Sequence, residues 1–357
     1  MNDFVCILTE PNYGESLWGK TLHAALIERL RQKRIPFREA SLHLPPCDGV
    51  FIIAADYLWL RDTVRRLNAS DIRPIVIGNQ VQGIPGCSYS AVCSDLAGSM
   101  RYLRDRLRVL GKKHIALYGV NTDSIGDIGR MDGLLALDAD FSDSLCVFKN
   151  SGSLRDCFDR FLPVCGQFDA VLCVNGYAAV SLAKNLEKFR PQALSSTEIF
   201  SCSRTKLSDC YRDLIHALDL NFEEFGKAAV FLYEELKRHP YMADMTVRIK
   251  WRTDAPSDGV CPSVSLDGIG ETDRLYGDEE MRDMIRTDRL LDIADGTDRQ
   301  ILSLFARGKT AEEVAEQCFL TVGGVKYRLS RLMTVCHASD KAELLGLMAR
   351  CLPEIWA

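Results

Sequence analysis

Residues 168–189 read FDAVLCVNGYAAVSLAKNLEKF, a short apolar run that leads directly into a helical pattern. The run Ala170–Val174 is continuously apolar, which is typical of a strand that a parallel sheet buries on both faces. From Tyr177 to Phe189 the apolar residues return at helical spacing instead. A buried strand followed at once by a helix is the repeating unit of α/β folds.

The same unit recurs along most of the chain. We predict further strands at Phe4–Thr9, Ile35–Ala40, Gly49–Ala54, Pro74–Gly78, Tyr89–Cys93, His114–Tyr118, Ser144–Phe148, Glu198–Ser201, Ile215–Leu218 and Met245–Trp251. We predict further helices at Ser16–Lys33, Tyr57–Asn68, Leu96–Leu110, Gly129–Leu137, Leu154–Cys165 and Asn221–Arg238. This alternation predicts an α/β protein with parallel sheets and helices on both faces. Two rounds of it within residues 1–252 predict two lobes, with ligands bound beyond the carboxyl ends of the strands.

Residues 92–116, VCSDLAGSMRYLRDRLRVLGKKHIA, resemble the LacI/GalR ligand-binding domain over their whole length. Three further pieces are similar to that family in the same order: Gly129–Gly133, Phe168–Asn175 and Asn221–Ala229. The resemblance implies the periplasmic-binding-protein type I fold, a two-lobed sensor for a small polar effector such as a sugar or a carboxylate. Met1 falls where that family has its own helix-turn-helix, so we expect the DNA-binding element at the other end of this chain.

Four residues correspond by position to the ligand contacts of that family, and the resemblance implies their roles. Trp18 stands where a first-lobe aromatic stacks on the ligand, and Arg130 where an arginine binds paired oxygens. Asn175 follows the second-lobe strand, and Ser203 replaces a late Asp of the family. Because Gly176 replaces a second Asp, we expect an acid, a less hydroxylated molecule or no ligand, rather than an ordinary hexose. The alternatives are a core or surface Trp18 and an Arg130 that is a surface cation.

The C-terminal residues 297–332, TDRQILSLFARGKTAEEVAEQCFLTVGGVKYRLSRL, contain three short helical patterns. Thr321 is the predicted N-cap of the third helix, and Val325, Leu329 and Leu332 form its buried stripe. Small residues and cations on the free arc suit a DNA groove, because glycines allow close approach and cations contact phosphates or base edges. We predict DNA contacts from Thr321, Gly323, Gly324, Lys326, Tyr327, Arg328, Ser330 and Arg331.

This segment is similar to the LuxR (GerE-type) helix-turn-helix domain. The matching pieces are Asp298 before Ile301–Leu302, then Val314–Cys318, Leu320–Ser330 and Lys341–Leu344. The similarity implies double-stranded DNA as a partner and a homodimer, because one recognition helix reads few base pairs and paired half-sites need two. Gly324 replaces the usual Thr and Arg328 the usual His, so we expect DNA affinity below the family norm. The alternative is a small helical bundle with a solvated basic face.

Residues 253–296 form a connector between these two regions. Asp, Ser, Pro and Gly dominate its first part, which is typical of a linker, whereas Asp278–Asp295 has apolar residues along one side. This helix is predicted to pack on either domain, to dimerise or to transmit a signal. The predicted organisation is therefore a sensor over residues 1–252, the connector, and a small all-α DNA-binding domain over residues 297–357.

Composition limits the classes of function. The chain has 357 residues, a formal net charge of −5 and 47% hydrophobic residues, which excludes a globally basic nucleic-acid coat but not a local basic helix. Its 14 cysteines are scattered, with no Cys-x-x-Cys and no metal-ligand spacing, as in a reducing compartment. No signal pattern or membrane-spanning run occurs, so we expect a cytoplasmic protein without metal or cofactor.

Catalytic motifs are also absent from the sequence. It holds no GxGxxG after the first strand, no GxxxxGK[ST], no GxSxG and no HExxH. We therefore predict a transcriptional regulator and no enzyme. Its LacI-like sensor is expected to bind a small polar metabolite and to control the LuxR-type helix-turn-helix. The alternative is a sensor whose degenerate cleft serves as a scaffold for dimerisation or for protein partners.

Overall fold

The computed structural model describes residues 4–11, 17–41, 44–54, 56–78, 84–122, 124–137, 145–242, 244–252 and 277–352. Its strands are β1 (Val5–Thr9), β2 (Phe37–Glu39), β3 (Val50–Ala54), β4 (Ile75–Gly78), β5 (Ser90–Ser94), β6 (Ile115–Asn121), β7 (Leu145–Asn150), β8 (Ala170–Cys173), β9 (Glu198–Ser201), β10 (Ile215–Ala217), β11 (Asp219–Leu220), β12 (Thr246–Ile249) and β13 (Trp251–Arg252). The helices that accompany these strands are α1 (Leu17–Gln32), α2 (Tyr57–Ala69), α3 (Leu96–Val109), α4 (Ile125–Leu135), α5 (Leu154–Phe161), α6 (Gly176–Phe189), α7 (Pro191–Ser196), α8 (Lys206–Asp209) and α9 (Phe222–Arg238). The C-terminal helices are α10 (Glu279–Ile293), α11 (Gly296–Ala306), α12 (Ala311–Gln317), α13 (Val322–Val335) and α14 (Lys341–Cys351).

The first lobe is built on a six-stranded parallel sheet in the order β12-β5-β4-β3-β1-β2. Successive side chains of a strand point to opposite faces, and here both faces are covered. Val5 and Ile7 of β1 join a core with α1 and α9, whereas Cys6 and Leu8 join a second core with α2. The predicted parallel α/β architecture is therefore confirmed for this lobe.

The second lobe is a five-stranded parallel sheet in the order β10-β9-β8-β6-β7. Helix α3 packs against α4, and α5 packs against α6. Tyr118, Phe158 and Phe161 are among the largest fully buried side chains, and they lie in the core beneath these helices. The two sheets therefore have separate strand sets, as the two rounds of the sequence pattern predict.

Three chain segments connect the lobes. The first runs from β5 into α3, the second from β10 through β11 into α9, and the third continues β12 into β13. Strands β11 and β13 pair antiparallel, with Leu220 opposite Trp251. The Asp95 N–H donates to the Ile249 carbonyl over 2.8 Å, which ties the first segment to the third. The crossovers are therefore bonded to one another at the junction of the lobes.

The connecting helix α10 packs on both parts of the protein. It contacts α6 and α8 of the second lobe and α1 of the first, as well as α13 and α14 of the C-terminal group. Met281, Met284, Leu290 and Leu291 are its buried apolar residues. The prediction of a helix with one apolar side is confirmed. We expected the helix to pack on one domain or the other, and it contacts both regions instead.

Several element boundaries differ from the predicted ones for local reasons. Helix α4 begins at Ile125, four residues before the predicted start, because Ser124 caps it. The predicted helix from Leu154 continues after Phe161 as a 3₁₀ helix over Leu162–Gln167, where Pro163 stands near the start. Helices α7 and α8 are too short to give a periodic pattern, so sequence analysis missed them. In the described part of the chain, no helix combines the length and apolarity needed to cross a membrane.

Replacing Gly226 of α9 by Ala is expected to destabilise the first lobe. A Cβ at this position would lie 2.2 Å from the Ala25 carbonyl oxygen of α1, so the two helices would have to separate. We expect a loss of about 1–3 kcal/mol in the free energy of unfolding, measured by urea denaturation. Gly296→Ala is the control, because a Cβ there meets nothing within 4 Å. Equal stability of the two variants would contradict the prediction.

Candidate functional site

The carboxyl ends of both sheets carry buried polar atoms. Thr9 ends β1 and Ser94 ends β5 in the first lobe, while Arg130 lies on α4 directly after β6 of the second. Thr9 Oγ1, Ser94 Oγ and Arg130 Nε are buried and have no hydrogen-bond partner among the described residues. Such atoms are costly in a folded protein unless something bonds to them. Buried polar atoms without a partner among the described residues therefore occur at the strand ends that α/β folds use for ligands, as well as on α1 and at Trp251.

Arg130 is buried rather than a surface cation. Its Nη1 donates to Asp127 Oδ1 over 3.0 Å, and Asp127 is buried as well. The Asn121 N–H donates to the other carboxylate oxygen of Asp127 over 3.2 Å. One side of the guanidinium is thus held by the chain itself, which leaves Nε as its unsatisfied donor. The predicted role of Arg130 as ligand anchor stays a prediction, and the structure adds Asp127 as its partner.

The loop that follows β9 lies next to this pair. Burial raises the pKa of the Cys202 thiol to about 12, and the Arg130 guanidinium partly opposes that rise. Ser203 is buried, and its carbonyl accepts from Ser201 Oγ over 2.7 Å. The predicted contacts Arg130 and Ser203 therefore come from neighbouring parts of the second lobe.

Asn175 and Gly176 form the start of α6 against the same loop. Asn175 Oδ1 accepts from the Ala178 N–H over 2.9 Å, so its side-chain oxygen caps the helix. A Cβ at Gly176 would lie 2.9 Å from Thr205 Oγ1 and 3.2 Å from the Ser203 carbonyl. The carboxylate that the LacI-like pattern has at Gly176 would not fit here. The chain has replaced a polar contact by close packing of the loop on α6.

Trp18 belongs to an aromatic cluster at the junction of the lobes. Its ring lies edge-on to Phe222, with centroids 5.1 Å apart, and 6.3 Å from Trp251. The indole Nε1 atoms of Trp18 and Trp251 are both buried without a partner among the described residues. Sequence analysis missed Phe222 and Trp251. Their position beside the crossovers is the only signal in the sequence that could have indicated them.

Lowering the pH from 7 to 5 is expected to relieve a folding cost at Asp127. Burial raises the pKa of its carboxyl to about 6, against the attraction of Arg130, from a usual 3.8. The folded state therefore holds this proton more tightly than the unfolded state. Stability from the protonated form is fully present below the usual pKa and is lost as the pH rises through about 6.

Urea denaturation at pH 5 and pH 7 measures the effect. Asp127→Asn should reduce the gain in the free energy of unfolding between pH 7 and pH 5 by about 1 kcal/mol. Asp213→Asn, at an exposed position of the same lobe, is the matched control. An unchanged pH dependence in Asp127→Asn would show that this carboxyl titrates normally.

The second candidate site is the free face of α13. Thr321 Oγ1 accepts from the Gly324 N–H over 3.0 Å, so Thr321 caps the helix as predicted. Val325 and Leu332 are fully buried against the other C-terminal helices. Of the predicted DNA contacts, the exposed ones are Thr321, Gly323, Lys326, Tyr327, Ser330 and Arg331, and the half-buried ones are Gly324 and Arg328.

Two of the predicted DNA-contacting cations have partners within the domain. Arg328 Nη1 lies 2.9 Å from carboxylate oxygens of both Asp295 and Asp298. Arg331 forms an ion pair with the second oxygen of Asp298, whose side chain is fully buried. These pairs fasten α13 to the start of α11. The predicted DNA contacts of Arg328 and Arg331 stay predictions, and the structure adds that each of these arginines binds a carboxylate of its own chain.

Aromatic side chains extend the exposed face beyond the predicted residues. Phe319 is 95% exposed and Tyr327 is 72% exposed. Phe319 stands in the turn between α12 and α13 with a φ of 54°, in the left-handed region that favours glycine. Sequence analysis missed Phe319, because an apolar residue in a helical pattern reads as core. The free face therefore combines Lys326 and Ser330 with two aromatic rings.

Comparison with known proteins supports the fold. No protein-family model matches the chain, and no curated protein matches it. Among solved structures it is similar to the transcriptional regulator CelR in complex with cellobiose, with a TM-score of 0.55 and 15% identity over 70% of this chain and 83% of that chain. It is also similar to the LacI family transcriptional regulator CCPA from Weissella paramesenteroides with bound sucrose, with a TM-score of 0.54 and 15% identity over 70% and 95% of the two chains.

A binding protein has the same architecture. GanP, a glucose-galactose binding protein from Geobacillus stearothermophilus, is similar with a TM-score of 0.56 and 12% identity over 71% of this chain and 97% of that chain. At these identities the likeness is one of fold. The chain therefore combines a two-lobed α/β fold of the LacI and periplasmic-binding-protein type with a small all-α region at its C-terminal end.

Proposed function

We propose that this protein is a DNA-binding transcriptional regulator. Its sensor, residues 1–252, binds a small polar metabolite, a sugar or a related acid. A connector, residues 253–296, links the sensor to a LuxR-type helix-turn-helix domain, residues 297–357. The proposal is carried by buried polar atoms that have no partner among the described residues and lie at the carboxyl ends of strands in both lobes. The same chain exposes one face of helix α13, which Thr321 caps.

The unsatisfied atoms support a polar ligand. Arg130 Nε and the indole Nε1 atoms of Trp18 and Trp251 are donors, and the hydroxyls of Thr9 and Ser94 can donate or accept. Each buried polar group without a partner costs about 1–3 kcal/mol, and a ligand that supplies acceptors removes that cost. Donors outnumber acceptors in this set, which favours a ligand rich in oxygen atoms. The CelR and CCPA structures that share this fold contain cellobiose and sucrose.

A panel of sugars and sugar acids tests the ligand. Thermal shift with cellobiose, sucrose, glucose, galactose and the corresponding aldonic and uronic acids should raise the melting temperature for at least one compound. Arg130→Gln should then lower the affinity for that compound about ten- to a hundredfold, because a charge-assisted hydrogen bond is lost. Arg155→Gln, at an exposed position of α5, is the control. Unchanged affinity in Arg130→Gln would show that Arg130 does not contact the ligand.

The free face of α13 supports DNA as the partner. Lys326 is its exposed cation with no intradomain ion pair among the described residues, and Tyr327 and Ser330 lie beside it. The capped N-terminus of the helix favours the phosphate backbone. A homodimer would place two such helices on paired half-sites, which one copy alone would read with little specificity.

Lys326→Ala is expected to weaken binding to a random-sequence duplex and to lower its salt dependence. Loss of one phosphate contact reduces the slope of log K against log salt by about 0.9. Fluorescence anisotropy over a series of salt concentrations measures both quantities. Lys113→Ala, at an exposed position of the second lobe, should leave affinity and slope unchanged. Identical slopes for wild type and Lys326→Ala would contradict a DNA contact by this side chain.

A second candidate function is a scaffold in which the cleft no longer takes a ligand. Two observations favour it: Arg130 already binds Asp127, and packing against Thr205 and Ser203 leaves no space for a side chain at Gly176. The two functions predict different results in the thermal-shift measurements. A scaffold gives no shift with any compound, while its binding to the duplex persists.

A further inference from the structure

A fully buried carboxylate joins the sensor to the connecting helix. Asp288 of α10 is 0% exposed. Its Oδ1 accepts from the Leu207 N–H over 2.6 Å, and its Oδ2 accepts from Tyr177 Oη over 3.3 Å. Leu207 stands in the first turn of α8 and Tyr177 in the first turn of α6. One side chain therefore holds the starts of two helices of the second lobe.

These two helix starts lie directly behind the candidate ligand cleft. Helix α8 follows the loop of Cys202 and Ser203, and Thr205 of that loop caps α8. The first residue of α6, Gly176, packs on the same loop. Ser203 of this loop is itself one of the predicted ligand contacts. The loop thus joins the candidate ligand site to the helix starts that Asp288 holds.

The same helix holds the end of the candidate DNA-binding helix. Arg286 stands two residues before Asp288. Its Nε donates to the Cys336 carbonyl over 2.7 Å, and its Nη2 donates to the His337 carbonyl over 3.0 Å. Cys336 is the C-cap of α13. Asp288, which bonds to α8, and Arg286, which bonds to the end of α13, therefore lie within one turn of α10.

We propose that Asp288 is the coupling residue through which the cleft loop and the DNA-binding helix affect each other. This inference rests on the proposed function, since it assigns the route between its two sites. A ligand that moves the loop must either move Asp288, and α10 with it, or break the bond to Leu207. Breaking it leaves Asp288 Oδ1 and the buried Leu207 N–H without their shared bond, so movement of α10 is favoured.

Two further bonds connect the second lobe with the C-terminal helices. Asp278 Oδ2, at the start of α10, accepts from the Leu154 N–H over 2.8 Å. Tyr211 Oη donates to the Cys351 carbonyl at the end of α14 over 2.9 Å. Coupling between two sites is reciprocal, so a change at α13 must also reach the cleft loop. The route can therefore be tested from the DNA-binding side with no ligand present.

The test is a double-mutant cycle on the full chain, read by hydrogen exchange of residues 202–209. Arg286→Ala removes the bonds from α10 to the end of α13 and the ion pair to Glu343 of α14, and it should speed exchange in this loop by several-fold to about tenfold. In an Asp288→Ala background the same change should have no further effect. Arg282→Ala, an exposed arginine on the same helix, is the matched control and should leave the loop unchanged.

Each outcome decides the proposal. Equal effects of Arg286→Ala with and without Asp288, or no effect at all, overturn it. Should Asp288→Ala fail to fold, Tyr177→Phe takes its place, because it removes one of the two bonds and keeps the carboxylate. It should then reduce the effect of Arg286→Ala on the loop, and an undiminished effect overturns the proposal.

A duplex arm separates this inference from the proposed function. A random-sequence duplex of about three helical turns is added, and anisotropy reports whether it binds. Bound duplex should slow exchange of residues 202–209 in wild type and leave it unchanged in Asp288→Ala. Binding without any change in the wild-type loop overturns the coupling but not the regulator. If the duplex does not bind, the proposed DNA function fails, and the mutant cycle still decides whether Asp288 couples the two regions.

Discussion

Two carboxylates at α10, placed at the starts of helices of the second lobe, hold the C-terminal helices against that lobe. The first amides of a helix have no partner within it, and Asp278 and Asp288 supply one to Leu154 and Leu207. A carboxylate at that position also interacts favourably with the helix dipole. Because loss of either would leave a buried amide unpaired, α10 packs as part of the second lobe. The C-terminal helices therefore take their position from their contacts with α10 and with this lobe.

Local patterns were sufficient for the architecture. The predicted Glu198–Ser201 strand has the observed bounds, and the predicted Thr321 cap is present, because a buried apolar run and a hydroxyl before a helix depend only on neighbouring residues. Contacts between distant residues were beyond such patterns. Asp288 and Leu207 lie 81 residues apart, and no periodicity links them. The role of the connecting helix therefore became visible only with the packing of the second lobe.

The candidate cleft shows the same limit at the level of single side chains. Resemblance placed Arg130 and Trp18 near the junction of the lobes, but it did not supply their partners. Asp127 stands only three residues before Arg130, yet its burial depends on the fold of the whole lobe. Phe222 and Trp251 reach Trp18 through two separate crossovers. Position in a family pattern therefore supplied the predicted contacts, while the partners of these residues depended on the tertiary structure.

Two arginines of α13 form ion pairs with carboxylates of their own chain. Asp298 is fully buried, and a buried carboxylate left without its cations costs about 3–5 kcal/mol, so Arg328 and Arg331 cannot both leave it for phosphates. Arg331 keeps a side chain 41% exposed and has five donors, which allows it to hold Asp298 and still meet a phosphate. The remaining exposed groups are Lys326 and the rings of Tyr327 and Phe319. In the proposed complex with duplex DNA, this face would offer apolar contacts to base edges and few cations to phosphates, so the salt dependence of binding would be weak.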